Sequence, residues 1–337
     1  MATFVIAEVG VNHNGDIALA KKLVEAAANA GADAVKFQTF KAEDLVTSTA
    51  PRAEYQIRNY GAGSQFEMLR DLELTRFEFK ELADHCKTHD IKFLSTAFGP
   101  NELDFLISIG MSAIKVASGE ITNLPLLEKM ARISCASDLP VYISSGMSTL
   151  GDVEAALKVF LDEGVKRESI TLLHCLSSYP APEGEVNLRA INTLRVAFGC
   201  KVGYSDHTLG TTAAVVAVAL GAVIIEKHIT LDTRMAGPDH RASLEPGEFK
   251  QMTEMIRSCE NMLGTGYKQP EKSELDARKV ARRSLRAARE IRAGSLIIAE
   301  DVICMRPGDG INPMEYHSIL GRKAVRDHKA GDALSVY

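Results

Sequence analysis

The chain has 337 residues, 46% of them hydrophobic and 25% charged, with a formal net charge of −5. It can bury a large core, and its mixed, slightly acidic charge excludes a basic nucleic-acid surface, so any anion site has to be built from a few local cations. The six cysteines form no C-x-x-C pair, the start MATFVIAEVG carries no basic leader, and the apolar run 213–225 is too short for a bilayer; a reduced, cytoplasmic chain without a membrane segment is expected.

From the N-terminus, β-branched runs alternate with amphipathic segments. TFVIAE (3–8) precedes a helix pattern near 17–30, and DAVKFQ (33–38) precedes a polar excursion over 41–73 and a helix at about 76–89. KFLST (92–96), AIKVAS (113–118), PVYISS (140–145), ITLLHC (170–175), KVGYSD (201–206) and AVIIEKH (222–228) continue the series, the last followed by a helix over 247–262. Eight continuous apolar strands, each followed by a helix, predict a (β/α)8 TIM barrel as a catalytic domain over 1–263.

Each strand is apolar at its start and polar at its end, where such a barrel builds its site. The ends carry Glu8, Lys36 with Gln38, Ser95 with Thr96, Lys115 with Ser118, Ser144 with Ser145, His174, Ser205 with His207, and Glu226 with His228. Taken alone, either His207 or His228 reads as a strand cap. As a pair closing strands 7 and 8, they have the layout of an open catalytic metal site. Asp206 and Glu226 are placed to accept the imidazoles' second N–H or to activate a metal-bound water. Lys36 and Lys115, with Ser118, Ser144 and Ser205, predict a pocket for a small phosphate or carboxylate; a Schiff-base lysine is the competing role. Glu8 and Glu120 are placed to carry protons or bind hydroxyls, with an ordinary lysine ion pair as the alternative.

Two connections are long. Residues 41–73 read as a lid or a partner surface, and 230–246, with its G-P-D-H core, reads as a plain turn or a flap over the site. Beyond the eighth helix, 264–278 reads as a polar linker. In the remaining 279–337, AAREIRAGSLI (287–297) is echoed 37 residues later by AVRDHKAGDAL (324–334), which predicts a small β-rich domain with internal pseudo-symmetry.

The motifs AEVGVNHNG (7–15), VKFQTF (35–40), IKVASGE (114–120), SSGM (144–147), YPAP (179–182), GYSDHT, IEKHIT, GPDH and RPGDG (306–310) together resemble the sialic acid synthase family over essentially the whole chain. The resemblance implies that 279–337 is an antifreeze-like SAF domain of the β-clip type. It also implies condensation of phosphoenolpyruvate with an N-acetylmannosamine-type sugar to give N-acetylneuraminate and phosphate. A close alternative is N,N'-diacetyllegionaminate from 2,4-diacetamido-2,4,6-trideoxymannose; a Schiff-base aldolase and a non-catalytic glycan-binding protein are further alternatives.

By the same resemblance, His207 and His228 hold a divalent ion, Mn2+ first with Mg2+ or Co2+ as options. Lys36, Thr96, Lys115, Ser118, Ser144 and Ser205 hold phosphoenolpyruvate, and Gln38, Glu120, Tyr179 and Asp239 contact the sugar. Glu8 matches the family's proton-transfer residue, and Glu226 remains a second catalytic candidate from its own position. Arg306 matches an arginine reaching into the partner's site, which implies a domain-swapped homodimer. Val280 and Ser177 depart from the family pattern on the sugar side.

Overall fold

Eight short strands carry the alternation into three dimensions in the computed structural model, which describes residues 2–337. They are β1 Phe4–Gly10, β2 Ala34–Thr39, β3 Lys92–Ala97, β4 Ile114–Val116, β5 Val141–Ser144, β6 Ile170–Cys175, β7 Lys201–Asp206 and β8 Ile224–His228. All are parallel, in the order β3-β2-β1-β8-β7-β6-β5-β4, so the sheet is a barrel laddered everywhere except the β3–β4 seam. The expected (β/α)8 barrel is the observed fold.

The eight barrel helices are α1 Ile17–Asn29, α2 Arg76–Thr88, α3 Pro100–Ser108, α4 Leu124–Ser137, α5 Leu150–Asp162, α6 Ala190–Phe198, α7 Thr212–Ala219 and α8 Pro246–Leu263. Their starts are written in the sequence. Asp16 accepts Ala18 N–H at 2.7 Å to cap α1, and Thr75 with Glu78 forms a reciprocal box on α2.

The pleat decides which strand residues reach the interior. Register places Cys175 opposite Ser205, Ser205 opposite Glu226, and Glu226 opposite Ile6, all facing inward at one level. Below that level the Phe4 and Tyr142 rings, 6.5 Å apart, fill the barrel floor. Alternate residues face the helices: Phe37 of β2 meets Phe79 of α2 edge to face at 6.4 Å. Ser95, Ser145 and His174, expected at the mouth, fall on this outer side and are satisfied by Thr39, the Leu173 carbonyl and the Val186 carbonyl.

The long connection after β2 folds as three short helices, Ala42–Leu45, Glu54–Tyr60 and Gln65–Asp71. It has its own apolar cluster of Val11, Phe40, Ala42, Met68, Leu69 and Leu72. Asn59 Nδ2 donates to the Pro238 carbonyl at 2.8 Å, tying this segment to the G-P-D-H loop.

The chain divides into two units after Gly264. In the second, β9 Ser284–Ala287 pairs antiparallel with β10 Val302–Met305, and a helix, α9 Leu275–Ala281, occupies part of the stretch read as a linker. The 37-residue echo is a structural one. Gly294 N–H donates to the Ala324 carbonyl and Gly331 N–H to the Ala287 carbonyl, both at 2.8 Å. Ile291 and His328, equivalent positions of the two copies, exchange both backbone bonds with each other, at 2.9 and 2.8 Å. This is the β-rich, pseudo-symmetric domain that the repeat predicts.

Candidate active site

The strand ends open into a cavity of about 500 Å3 lined by residues of all eight strands or of the loops directly after them. Its floor is a chain of alternating charges. Lys36 Nζ lies 2.8 Å from Glu8 Oε2 and 3.5 Å from Glu226 Oε2, and Lys115 Nζ lies 3.8 Å from Glu226 Oε1. All four side chains are buried, which carries a desolvation cost that only their mutual pairing and hydrogen bonds offset. Thr96 accepts from Lys36 at 3.2 Å, Ser144 accepts from Lys115 at 2.6 Å, and Ser205 donates to Glu226 at 2.8 Å.

The two acids are driven apart. Burial pushes the Glu8 carboxyl up to about 7, with the Glu226 charge adding to burial and Lys36 opposing it. Burial also acts on Glu226, but Lys115, Lys36 and the Ser205 hydroxyl outweigh it and hold this carboxyl well below the usual range. A proton-carrying acid therefore sits beside a permanent anion, the pattern that separates proton donor from electrostatic partner. The two lysines differ likewise. Burial pulls Lys115 down, whereas for Lys36 the two carboxylates overcome burial and raise it.

His207 and His228 meet as expected, their rings 5.4 Å apart and inclined at 55°. His207 Nδ1 donates to the Leu176 carbonyl at 2.7 Å, which leaves Nε2 as a lone-pair donor. His228 is buried with Nδ1 unpartnered, and burial, then His207 and Lys36, depress it so that its ring is neutral. Two imidazoles with unused nitrogens suit a divalent transition ion, whose binding would displace any proton on His207. Burial lowers His207 as well, but the Cys175 sulfur, 3.8 Å from Nδ1, outweighs it and the ring is raised.

The pleat overturns one expectation here. Asp206 and Lys227 point away from the mouth, where Asp206 Oδ2 pairs with Lys227 Nζ at 2.8 Å and Oδ1 accepts from the Thr208 N–H and hydroxyl. Neither Asp206 nor Glu226 orients a histidine; a backbone carbonyl does so for His207.

Gly146 lies against the pocket wall because nothing larger fits. A Cβ there would stand 2.2 Å from Ser177 Oγ and 2.7 Å from Ser118 Oγ, and the Gly146 N–H donates to Ser118 at 3.0 Å. The sugar-side candidates Gln38, Tyr179 and Asp239 line the cavity, and burial raises the Asp239 carboxyl to about 6. Gln38 Nε2 reaches Glu8 at 3.3 Å. Glu120 does not line the cavity. The turn over 118–120 directs it to Asn123, whose amide donates to it at 2.7 Å. Arg306 directly follows β10 and is exposed, in the second unit.

Several lining residues carried no sequence signal. Leu45, Val46, Met68, Leu69 and Leu72 make an apolar upper wall, and Tyr55 stacks on Tyr179 with centroids 5.1 Å apart. All come from the connection after β2, whose spacing shows no target. Cys175 takes the inward place expected for His174.

Fold and site thus define a barrel enzyme whose open mouth combines a buried amine–carboxylate floor, a pair of metal-competent histidines and a deep pocket for a small-molecule substrate. Residues 23–268 match the NeuB family and residues 282–335 the SAF domain; the chain belongs to the NeuB family. It is 46% identical to the N,N'-diacetyllegionaminic acid synthase of Campylobacter jejuni, over 98% of each chain. It is also 46% identical to that of Legionella pneumophila, over 99% of this chain and 94% of the relative. The solved N-acetylneuraminic acid synthetase of Leptospira borgpetersenii superposes with a TM-score of 0.72 at 34% identity, covering 82% of this chain and 90% of that one. The chain is an enzyme, a transferase of the nonulosonic acid synthase class. No described helix is long and apolar enough to cross a membrane.

Proposed function

We propose that this enzyme is an N,N'-diacetyllegionaminic acid synthase, condensing phosphoenolpyruvate with 2,4-diacetamido-2,4,6-trideoxymannose. The observation that carries the sugar is the 46% identity to two such synthases over nearly the full chain, against 34% for the neuraminate synthetase. It moves the reading from N-acetylneuraminate, favoured by the motifs, to the alternative that they shared. The apolar wall of Leu45, Val46 and Leu69 supports it, since a C6 methyl and a second acetamido methyl can be buried there where a hydroxymethyl and hydroxyl lose hydration.

In this reading Lys36 and Lys115, with Thr96, Ser118, Ser144 and Ser205, bind the phosphate and carboxylate of phosphoenolpyruvate. The enol C3 forms a bond to the sugar's C1 aldehyde, whose oxygen takes a proton from Glu8. Water adds at C2 and its proton returns to Glu8; the C2–O bond to phosphate then breaks as the new C2 hydroxyl becomes the ketone and its proton goes to the departing phosphate. Glu226 stays ionised and fixes both amines. A divalent ion held by His207 and His228, Mn2+ by family resemblance, would supply electrophilic polarisation of the aldehyde. With Glu8 protonated the floor carries one net positive charge, so such an ion would bring the site to three positive charges against a substrate carrying about three negative ones. Gln38, Tyr179 and Asp239 face the sugar.

Arg306 is assigned to a partner subunit's site in a domain-swapped homodimer. Mixing Arg306→Ala with His228→Ala protein should restore about a quarter of wild-type activity through mixed dimers with one complete site; no rescue counts against the exchange. The six cysteines are all free, which supports a cytoplasmic setting.

The deciding assay is phosphate release from phosphoenolpyruvate with each of the two sugars. A higher kcat/KM for the diacetamido sugar is expected. Equal or better use of N-acetylmannosamine overturns the sugar assignment, and phosphate release with neither overturns the reaction.

A further inference from the structure

The outer wall of the barrel carries a second group of metal-type side chains, independent of the mouth. Helices α1 and α2 lie side by side, held at mid-length by Lys21 of α1 and Glu81 of α2, 3.0 Å apart. One turn further along both helices the pattern of charges changes. Position 25 is Glu25 and position 85 is His85, and His89, four residues on, lies on the same face as His85. The cation that completed the first rung is missing from the second.

The geometry of this second rung is that of ligands around a common centre. Glu25 Oε1 and His85 Nε2 stand 3.3 Å apart, yet His85 Nε2 is buried and makes no hydrogen bond. The His85 and His89 rings are 4.6 Å apart, inclined at 59°, and one ligand atom from each of the three residues lies within 4.8 Å of the others. In a tetrahedral site with bonds of about 2.0–2.1 Å, neighbouring ligand atoms are about 3.3 Å apart. The carboxylate–imidazole pair already spans one such edge. Exposed His89 needs only a side-chain adjustment to complete the face, and the fourth position opens to solvent.

We propose that Glu25, His85 and His89 form a second metal site, for Zn2+, that staples α1 to α2. Two imidazoles and one carboxylate suit zinc among the physiological divalent ions, whereas Mg2+ and Ca2+ take oxygen-rich sets. The ligands lie at the C-terminal ends of their helices, beside the strand starts, while the chemistry is at the strand ends. The bound ion therefore stabilises the wall and takes no part in turnover.

The test uses the full chain, stripped by a chelator and titrated with ZnCl2 by calorimetry, in three forms: wild type, His85→Gln/His89→Gln, and His207→Ala/His228→Ala. The outer variant should bind one zinc equivalent fewer than wild type, and the mouth variant should retain that equivalent. At zinc a hundredfold above the outer site's dissociation constant, melting of the mouth variant should rise by about 5 °C, and that of the outer variant by less than that of the wild type. Glu25→Gln, which keeps both histidines and removes little packing, should weaken the outer site at least tenfold. An outer variant that binds as many zinc ions as wild type, with unchanged affinity, overturns the proposal. A mouth variant with wild-type stoichiometry would instead count against metal at the mouth and leave the outer site standing.

Discussion

The floor and the upper wall of the cavity are built on different principles. The floor is made by residues locked on strands: Lys36, Lys115, Ser144, Ser205 and Glu226 are all buried, and each holds or is held by a neighbour across the barrel. The wall is made by Leu45, Val46, Met68, Leu69 and Tyr55, all from one long connection, in which Tyr55 stacks on Tyr179. Rigid strand ends suit a reaction whose geometry has to be kept. A loop-borne wall can change its lining without disturbing that geometry, which suits a family whose members share the phosphoenolpyruvate half and differ in the sugar.

If the division holds, floor substitutions should lower turnover with any sugar, and wall substitutions should change which sugar is used. His228→Ala should have the largest effect, at least about a thousandfold in kcat with either sugar, equivalent to ~4 kcal/mol of transition-state stabilisation. Circular dichroism should show the barrel intact. Rates near wild type would rule out a catalytic role for the pair.

Next comes the support behind the floor. Asp206 and Lys227 are fully buried and mutually paired directly behind the two histidines. Asp206→Ala leaves an ammonium without its counter-ion and should cost about 3 kcal/mol of stability in urea unfolding. A loss under 1 kcal/mol would show that the pair is not what ties the ends of β7 and β8 together.

Glu8→Gln should reduce kcat by about a hundredfold with little change in KM for phosphoenolpyruvate, the range for loss of one proton-transfer group. The sign of the pH dependence follows from the raised carboxyl. Glu8, held up to about 7, keeps its proton below neutrality, so a step that needs the acid slows as pH rises through about 7. Glu8→Gln should flatten that limb. A wild-type limb of opposite slope would make Glu8 a base.

The same contrast explains what the sequence could show. Continuous apolar strands with polar ends gave the barrel, the facing histidines and most of the floor, because a period of two and a known site-bearing end are local properties. They could not say which of two adjacent polar residues turns inward. Hence Ser95 and His174 proved to face the helices, Cys175 took the mouth position, and Asp206 turned to Lys227. Glu120 was lost to a single tight turn. The wall was hidden for a different reason: its apolar residues look like any helix core until the connection is folded back over the mouth.

Val46→Thr tests the wall with the smallest change. The substitution keeps the shape and exchanges a methyl for a hydroxyl, so floor geometry and phosphoenolpyruvate binding should be untouched. If Val46 packs on a methyl of the diacetamido sugar, the added hydroxyl is desolvated without a partner and costs about 1 kcal/mol, or about fivefold in kcat/KM for that sugar. With N-acetylmannosamine, whose extra hydroxyls can bond to the new group, the rate should hold or rise. The decisive quantity is the ratio of the two specificity constants, in which errors of enzyme concentration and general loss of fold cancel. An unchanged ratio would mean that the apolar wall does not touch the part of the sugar that distinguishes the two substrates, and selection would then have to come from Asp239 and Tyr179 on the floor side.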